Sequence, residues 1–118
     1  MGKHNFRELK IWQMSMDLAE NVYSITQELP NEEKYGLVSQ MRRSSVSISS
    51  NIAEGSGRTE KEFIRYLNIA ISSAYELETQ ALLCARVFDK DLKLLIREIN
   101  DIQNMIGGFR RSLRSKNS

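Results

Sequence analysis

One histidine, His4, and one cysteine, Cys84, are all that this 118-residue chain has of the two side chains most used for nucleophilic and metal chemistry. His4 stands in an N-terminal stretch expected to fray, where its imidazole would be solvated rather than paired. Cys84 falls at a core-facing position of a helical pattern, the place of a small buried hydrophobe and not of a nucleophile. The two together cannot supply the four ligands of a Cys/His zinc site, and one cysteine permits no internal disulfide. No histidine lies in a predicted helix, so the Glu-x-x-His pattern of di-iron bundles is missing as well. Gly55 and Gly57 resemble a phosphate loop only in spacing, because no Lys-Ser/Thr follows to hold nucleotide and magnesium. A non-enzymatic protein without metal or cofactor is the expectation.

The chemistry that remains is that of arginine. Arg42 and Arg43 sit in a serine-rich run, Arg58 follows the glycines, and Arg110, Arg111 and Arg114 crowd the C-terminal stretch. The net charge is only +2. From Gly107 to Ser118 every charged residue is basic (Lys116 is the fourth), so the rest of the chain is slightly acidic. A basic tail contacts phosphates without sequence preference. The same residues at a helix C-terminus also complement the macrodipole, and both readings stand. One acid is out of place: Glu78 falls inside the apolar sector of its helix, where a carboxylate needs a partner. Pairing with Arg42 or Arg43 on the neighbouring helix is one expectation, and snorkelling from a groove edge is the other.

Four amphipathic helices must position these groups, over residues of about 8–29, 32–55, 60–88 and 91–113. In the first, Leu9, Trp12, Met16, Ala19 and Tyr23 form one stripe, and Ile11, Leu18, Val22, Ile25 and Leu29 a second, together wider than one core-facing stripe needs. Pro30 ends it, and Asn31 is expected to cap the next helix with Glu32 and Glu33 in its first turn. In that second helix Leu37, Met41, Ser44, Ile48, Ile52 and Gly55 recur every three or four residues. Alternation through Ser45-Val46-Ser47-Ile48-Ser49 suggests a strand instead, but no partner strand exists to satisfy its backbone. The serines predict a close packing face, with hydroxyls bonded to the preceding turn.

Gly55-Ser56-Gly57 predicts a glycine stop, and Thr59 with Glu62 a capping box. Phe63, Leu67, Ala70, Ala74, Leu77, Ala81, Cys84 and Phe88 then follow the seven-residue repeat of packed helices, flanked by Ile64, Ile71 and Leu82. After a turn near Asp89–Asp91, a last stripe runs from Leu92 to Leu113, with Gly107-Gly108 expected to bend or fray it. Connections this short predict an all-α, antiparallel up-down-up-down four-helix bundle in a single domain, residues 1–118. No apolar run approaches the ~18 residues of a membrane span. The N-terminus MGKHNFRELK has no signal-peptide core, so the cytosol is the expected compartment.

The run from Gln40 to Gly55, QMRRSSVSISSNIAEG, resembles the four-helix-bundle proteins encoded within bacterial 23S rRNA intervening sequences, also called S23-like. Leu9-Lys-Ile-Trp-Gln13, Pro30 with Glu33-Lys-Tyr-Gly-Leu37, Arg58, Glu62-Phe-Ile-Arg-Tyr-Leu67 and Tyr75-Glu-Leu-Glu-Thr-Gln80 extend the likeness over nearly the whole chain. The resemblance implies protomers assembled as a ring, typically a homopentamer, and no established biochemical activity. It extends to the accessory variability proteins of diversity-generating retroelements, whose barrel-shaped assembly binds a reverse transcriptase and nucleic acid. Those relatives are usually more basic than this chain. Independently, the second stripe of the first helix, with Ile64, Ile71 and Leu82, predicts an oligomer. The expected role is a ring-forming scaffold for RNA, DNA or a reverse-transcriptase-like enzyme, with Arg42, Arg43, Arg58, Arg110, Arg111 and Arg114 as candidate phosphate contacts. A purely structural or protein-binding oligomer is the alternative.

Overall fold

Four helices carry most of the computed structural model, which describes residues 4–117; the outermost residues of the expected domain, 1–3 and 118, lie outside the described residues. They are α1 (Lys10–Thr26), α2 (Leu37–Ser56), α3 (Glu60–Phe88) and α4 (Lys93–Asn117), with no strand among the described residues. Each packs against its neighbours in sequence, and α4 against α1, closing a four-helix bundle 47 × 20 × 19 Å. Leu18, Met41, Ile48, Phe63, Leu77 and Ile99 are among the side chains wholly removed from water at its centre. No described helix is long and apolar enough to cross a membrane.

α1 is shorter than expected at its C-terminal end. Its last turn tightens, with the N–H of Glu28 donating to Ile25 O and that of Leu29 to Thr26 O. Pro30 keeps Leu29 out of the helical region, so the tightened turn is as far as the helix carries. Of its two apolar stripes the second is the core-facing one: Ile11, Leu18, Val22 and Leu29 are buried, whereas Met16 and Tyr23 on the first are exposed. The bundle thus consumes the stripe assigned to oligomerisation. On α3, likewise, Ile71 is buried and Ile64 half-buried, leaving Leu82 alone of that set in solvent.

Asn31 does not cap the second helix. Residues Asn31–Glu33 form an isolated 3-10 turn, and α2 starts four residues later at Leu37. The helix assignment of the serine-rich run holds, as does the close face it predicts. Ser44, Ser45 and Ser49 are buried, and the hydroxyls of Ser45 and Ser49 donate to Arg42 O (2.9 Å) and Val46 O (3.2 Å). Gly55 is no left-handed stop. It lies inside α2, and a Cβ there would stand 2.7 Å from Tyr66 Cβ and 2.8 Å from Phe63 Cδ1. Glycine is needed for the approach of α3, not for a turn.

α3 spans the expected residues. Thr59 Oγ1 accepts from the N–H of Glu62 at 3.2 Å, and its hydroxyl donates to Glu62 Oε1 at 3.3 Å. At the far end Asp89 adopts the left-handed conformation (φ 50°), its N–H returning to Ala85 O. α4 passes Gly107-Gly108 without interruption, against expectation. Two glycines cost a helix about 1 kcal/mol each. Burial of Ile106 and Leu113 and the edge-on contact of Phe109 with Phe63, at 5.5 Å between centroids, outweigh that cost.

His4 also departs from expectation. Its N–H donates to Ser56 O at 3.0 Å, and its ring rests on Phe63 and Phe109, with centroids 5.4 and 5.9 Å away. The segment leading into α1 is therefore pinned where Ser56, Phe63 and Phe109 meet.

Candidate functional site

The candidate arginines fall into two groups with different surroundings. Arg42 is half-buried and bound within the chain. Its Nε donates to Thr26 Oγ1 at 3.0 Å, an Nη donates to Tyr23 O at 3.3 Å, and its guanidinium lies 4.3 Å from the centre of the Tyr23 ring. Tyr23 O already accepts from the N–H of Gln27, so the cation adds a second donor in the last turn of α1 and offsets the dipole there. Arg42 thereby ties α2 to α1. Arg43, one residue on, is exposed. Arg58 sits 3.5 Å from Glu54 and 5.1 Å over Tyr66, an exposed pair of the kind worth at most ~1 kcal/mol.

Glu78 pairs with neither Arg42 nor Arg43. Its Oε1 accepts from Gln103 Nε2 of α4 at 2.8 Å. The wheel places Glu78 inside the apolar sector, but its side chain is half-buried on the side that α4 covers, where Gln103 meets it. The carboxylate keeps partial contact with water, so one neutral donor suffices. Cys84 is fully buried, and burial pushes its thiol up, the state of an inert core cysteine.

The second group stands on α4, where Arg110 and Arg111 line a groove of about 530 Å³ between α3 and α4. Arg110 reaches across it, an Nη donating to Asn68 Oδ1 at 2.8 Å, while its Nε is covered without a hydrogen-bond partner. Arg111 folds back along its own helix. Its guanidinium nitrogens lie 3.8 and 3.7 Å from where Cβ atoms of Gly107 and Gly108 would be. Arg114 follows on the next turn, exposed. Among the described residues none of the three is ion-paired. Ser72, Tyr75, Gln103 and Asn104 complete the polar walls, Ile71 is the apolar contribution, and no carboxylate lines the space. The arrangement can hold an anion: forked donors stand at one side and neutral donors around, with the Glu78 carboxylate at the rim bound to Gln103.

Arg42 and Arg58 are not brought to this groove. Neither is among the residues that line it. Sequence reasoning named Arg110 and Arg111 but missed Asn68, Ser72 and Tyr75. Their signal was present: at i, i+4 and i+7 they form a polar stripe beside the core stripe of α3.

The model of the 23S rRNA-intervening sequence proteins matches residues 7–108. The chain belongs to that family. The match includes Arg42, Arg43 and Arg58 and stops short of Arg110, Arg111 and Arg114. Among solved structures, a Bacteroides thetaiotaomicron protein of unknown function from the S23 ribosomal protein family is similar, with 25% identity and a TM-score of 0.77, over 85% of this chain and 97% of that one. No curated protein matches this chain. Family membership thus carries the fold, and the relatives bring no activity with them.

Proposed function

We propose that this family member is a non-enzymatic helical scaffold that assembles with copies of itself into a ring and binds nucleic acid, or an enzyme acting on it. The observation that carries the proposal is the unpaired arginine set of α4. Arg110 and Arg111 line a groove with no carboxylate in its walls, Arg114 lies exposed on the next turn, and a ring would repeat that positive potential around its axis. Arg43 is exposed and has no ion pair among the described residues, whereas Arg42 and Arg58 are held within the chain.

Alternating helix directions suit the contacts of His4, which joins the last residue of α2, an early residue of α3 and the second half of α4 at the start of the chain. Self-association is supported by apolar side chains in solvent, Ile69, Leu82, Leu83 and Val87 on α3 and Leu94 on α4. Five-fold order and a reverse-transcriptase-like partner rest on the resemblance to intervening-sequence and retroelement accessory proteins. A cytosolic location goes with that role.

Binding of labelled RNA and DNA, titrated with salt on material whose mass is fixed by light scattering, tests both halves. Affinity should fall steeply with salt. No binding at low ionic strength removes the nucleic-acid role, and a monomer mass at micromolar concentration removes the ring. The exposed apolar residues of α3 favour one competing account, an oligomer that binds only protein. Recovery of a single protein partner, insensitive to nuclease, would establish that account instead.

A further inference from the structure

The groove between α3 and α4 has features that the bundle itself does not require. Gly107 and Gly108 each cost helix stability, yet neither is held to glycine by a neighbour. The nearest side-chain atoms to a Cβ at either position belong to the guanidinium of Arg111, at 3.8 and 3.7 Å. Gly55 has the opposite surroundings, with Phe63 and Tyr66 inside 3 Å. Gly107 therefore leaves the floor of the groove low, with only the guanidinium of Arg111 lying against it. Arg110 is held by one Nη bond to Asn68, which positions its fork and leaves it further Nη donors, while its Nε is covered. Tyr75 stands on the same wall, seven residues or ~10 Å along α3 from Asn68, with 57% of its surface in solvent.

We propose that this groove binds a single-stranded nucleic acid, a backbone phosphate entering over Gly107 between Arg110 and Arg111 while a neighbouring base stacks on Tyr75. The proposal rests on the nucleic-acid reading above and gives it a location and a strand type. Arginine forks match phosphate oxygens two at a time. Asn68, Ser72 and Asn104 supply neutral donors around them. The strand type follows from Tyr75: its face is open to an unpaired base, whereas bases in a duplex are already stacked on one another.

The test is fluorescence anisotropy with a labelled twelve-nucleotide oligothymidylate, and separately with a duplex of the same length, across a salt series. Circular dichroism and light scattering verify that each variant keeps fold and mass. The wild type should prefer the single strand. In the Arg110→Gln, Arg111→Gln double variant, affinity should drop about tenfold or more, and the slope of log K against log salt should flatten by roughly 1.4, two phosphate contacts' worth. Tyr75→Ala should weaken binding by about 5- to 100-fold with the slope unchanged, and Tyr75→Phe should restore it. Gly107→Leu keeps every charge and fills the floor, so it should abolish binding that a merely diffuse positive field would retain.

Equal or tighter binding of the duplex overturns the assignment of strand type. Variants of the groove that bind like wild type, beside an Arg42, Arg43, Arg58 triple glutamine variant that does not, overturn the location and leave the nucleic-acid reading intact. No binding by the wild type at low salt takes down that reading, and the groove with it.

Discussion

α3 presents two unlike seams to its neighbours. Toward α2 it closes on small residues: Gly55 admits Phe63 and Tyr66 to distances a Cβ would not allow, and the hydroxyls of Ser47 and Ser73 meet at 2.8 Å. Toward α4 it leaves a groove, with only the Arg111 guanidinium over Gly107 and polar side chains spanning the gap. The same residue type thus does opposite work on the two sides. On one it brings backbones together, and on the other it keeps them from filling a groove. A glycine in a helical pattern signals one of these without saying which, because the answer lies in the facing helix.

The sharpest way to break this contrast is Gly55→Val. Its branched side chain collides with Phe63 and Tyr66, and overpacking of this kind should cost about 3 kcal/mol, read as a fall in urea midpoint with an unchanged m-value. Gly55→Ala should also destabilise, its clash partly offset by the ~1 kcal/mol of helix propensity gained. Gly107→Ala should do the reverse and stabilise by about 1 kcal/mol, since its Cβ meets only Arg111. Shifts of the same sign at both positions would show that the two seams do not differ. Between them in size comes Ser73→Ala. It leaves the half-buried Ser47 with Asn51 alone as partner, and should cost up to about 1 kcal/mol.

How much of this was legible depended on how local the cause was. α3 was read to the residue because its start is a capping box written in Thr59 and Glu62 and its face is a heptad stripe, both contained in the helix itself. The start of α2 was misjudged because Asn31, Glu32 and Glu33 are as good a 3-10 turn as a first helical turn, and local chemistry does not separate the two. Gly107-Gly108 was read as a break because propensity is local, whereas the burial of Ile106 and Leu113 that overrides it comes from the other helices. His4 was read as frayed for the same reason: its aromatic neighbours, Phe63 and Phe109, are far away in sequence. In the site, the arginines were visible by type, but their division into engaged and free was not. Arg42 is engaged because the end of α1 lies beside it, and the groove exists only where α3 meets α4.

Glu78 gives the smallest expected effect and the finest test of which seam a polar residue serves. Had it faced Arg42 across the α2 side, neutralising it would strand a half-buried guanidinium, and losses of several kcal/mol accompany broken buried pairs. It faces α4 instead, accepting one bond from Gln103, and a glutamine amide oxygen accepts the same bond. Glu78→Gln should therefore change stability by no more than about 0.5 kcal/mol. Gln103→Ala should cost about 1 kcal/mol in the wild-type background and less in Glu78→Ala, because the donor it removes then has no carboxylate to serve. A loss of several kcal/mol in Glu78→Gln, rescued by Arg42→Gln, would move the residue back to the α2 seam. Coupling to Gln103 alone keeps it at the rim of the α4 groove, where its charge is held by a neutral donor while the groove's arginines are left free for an anion.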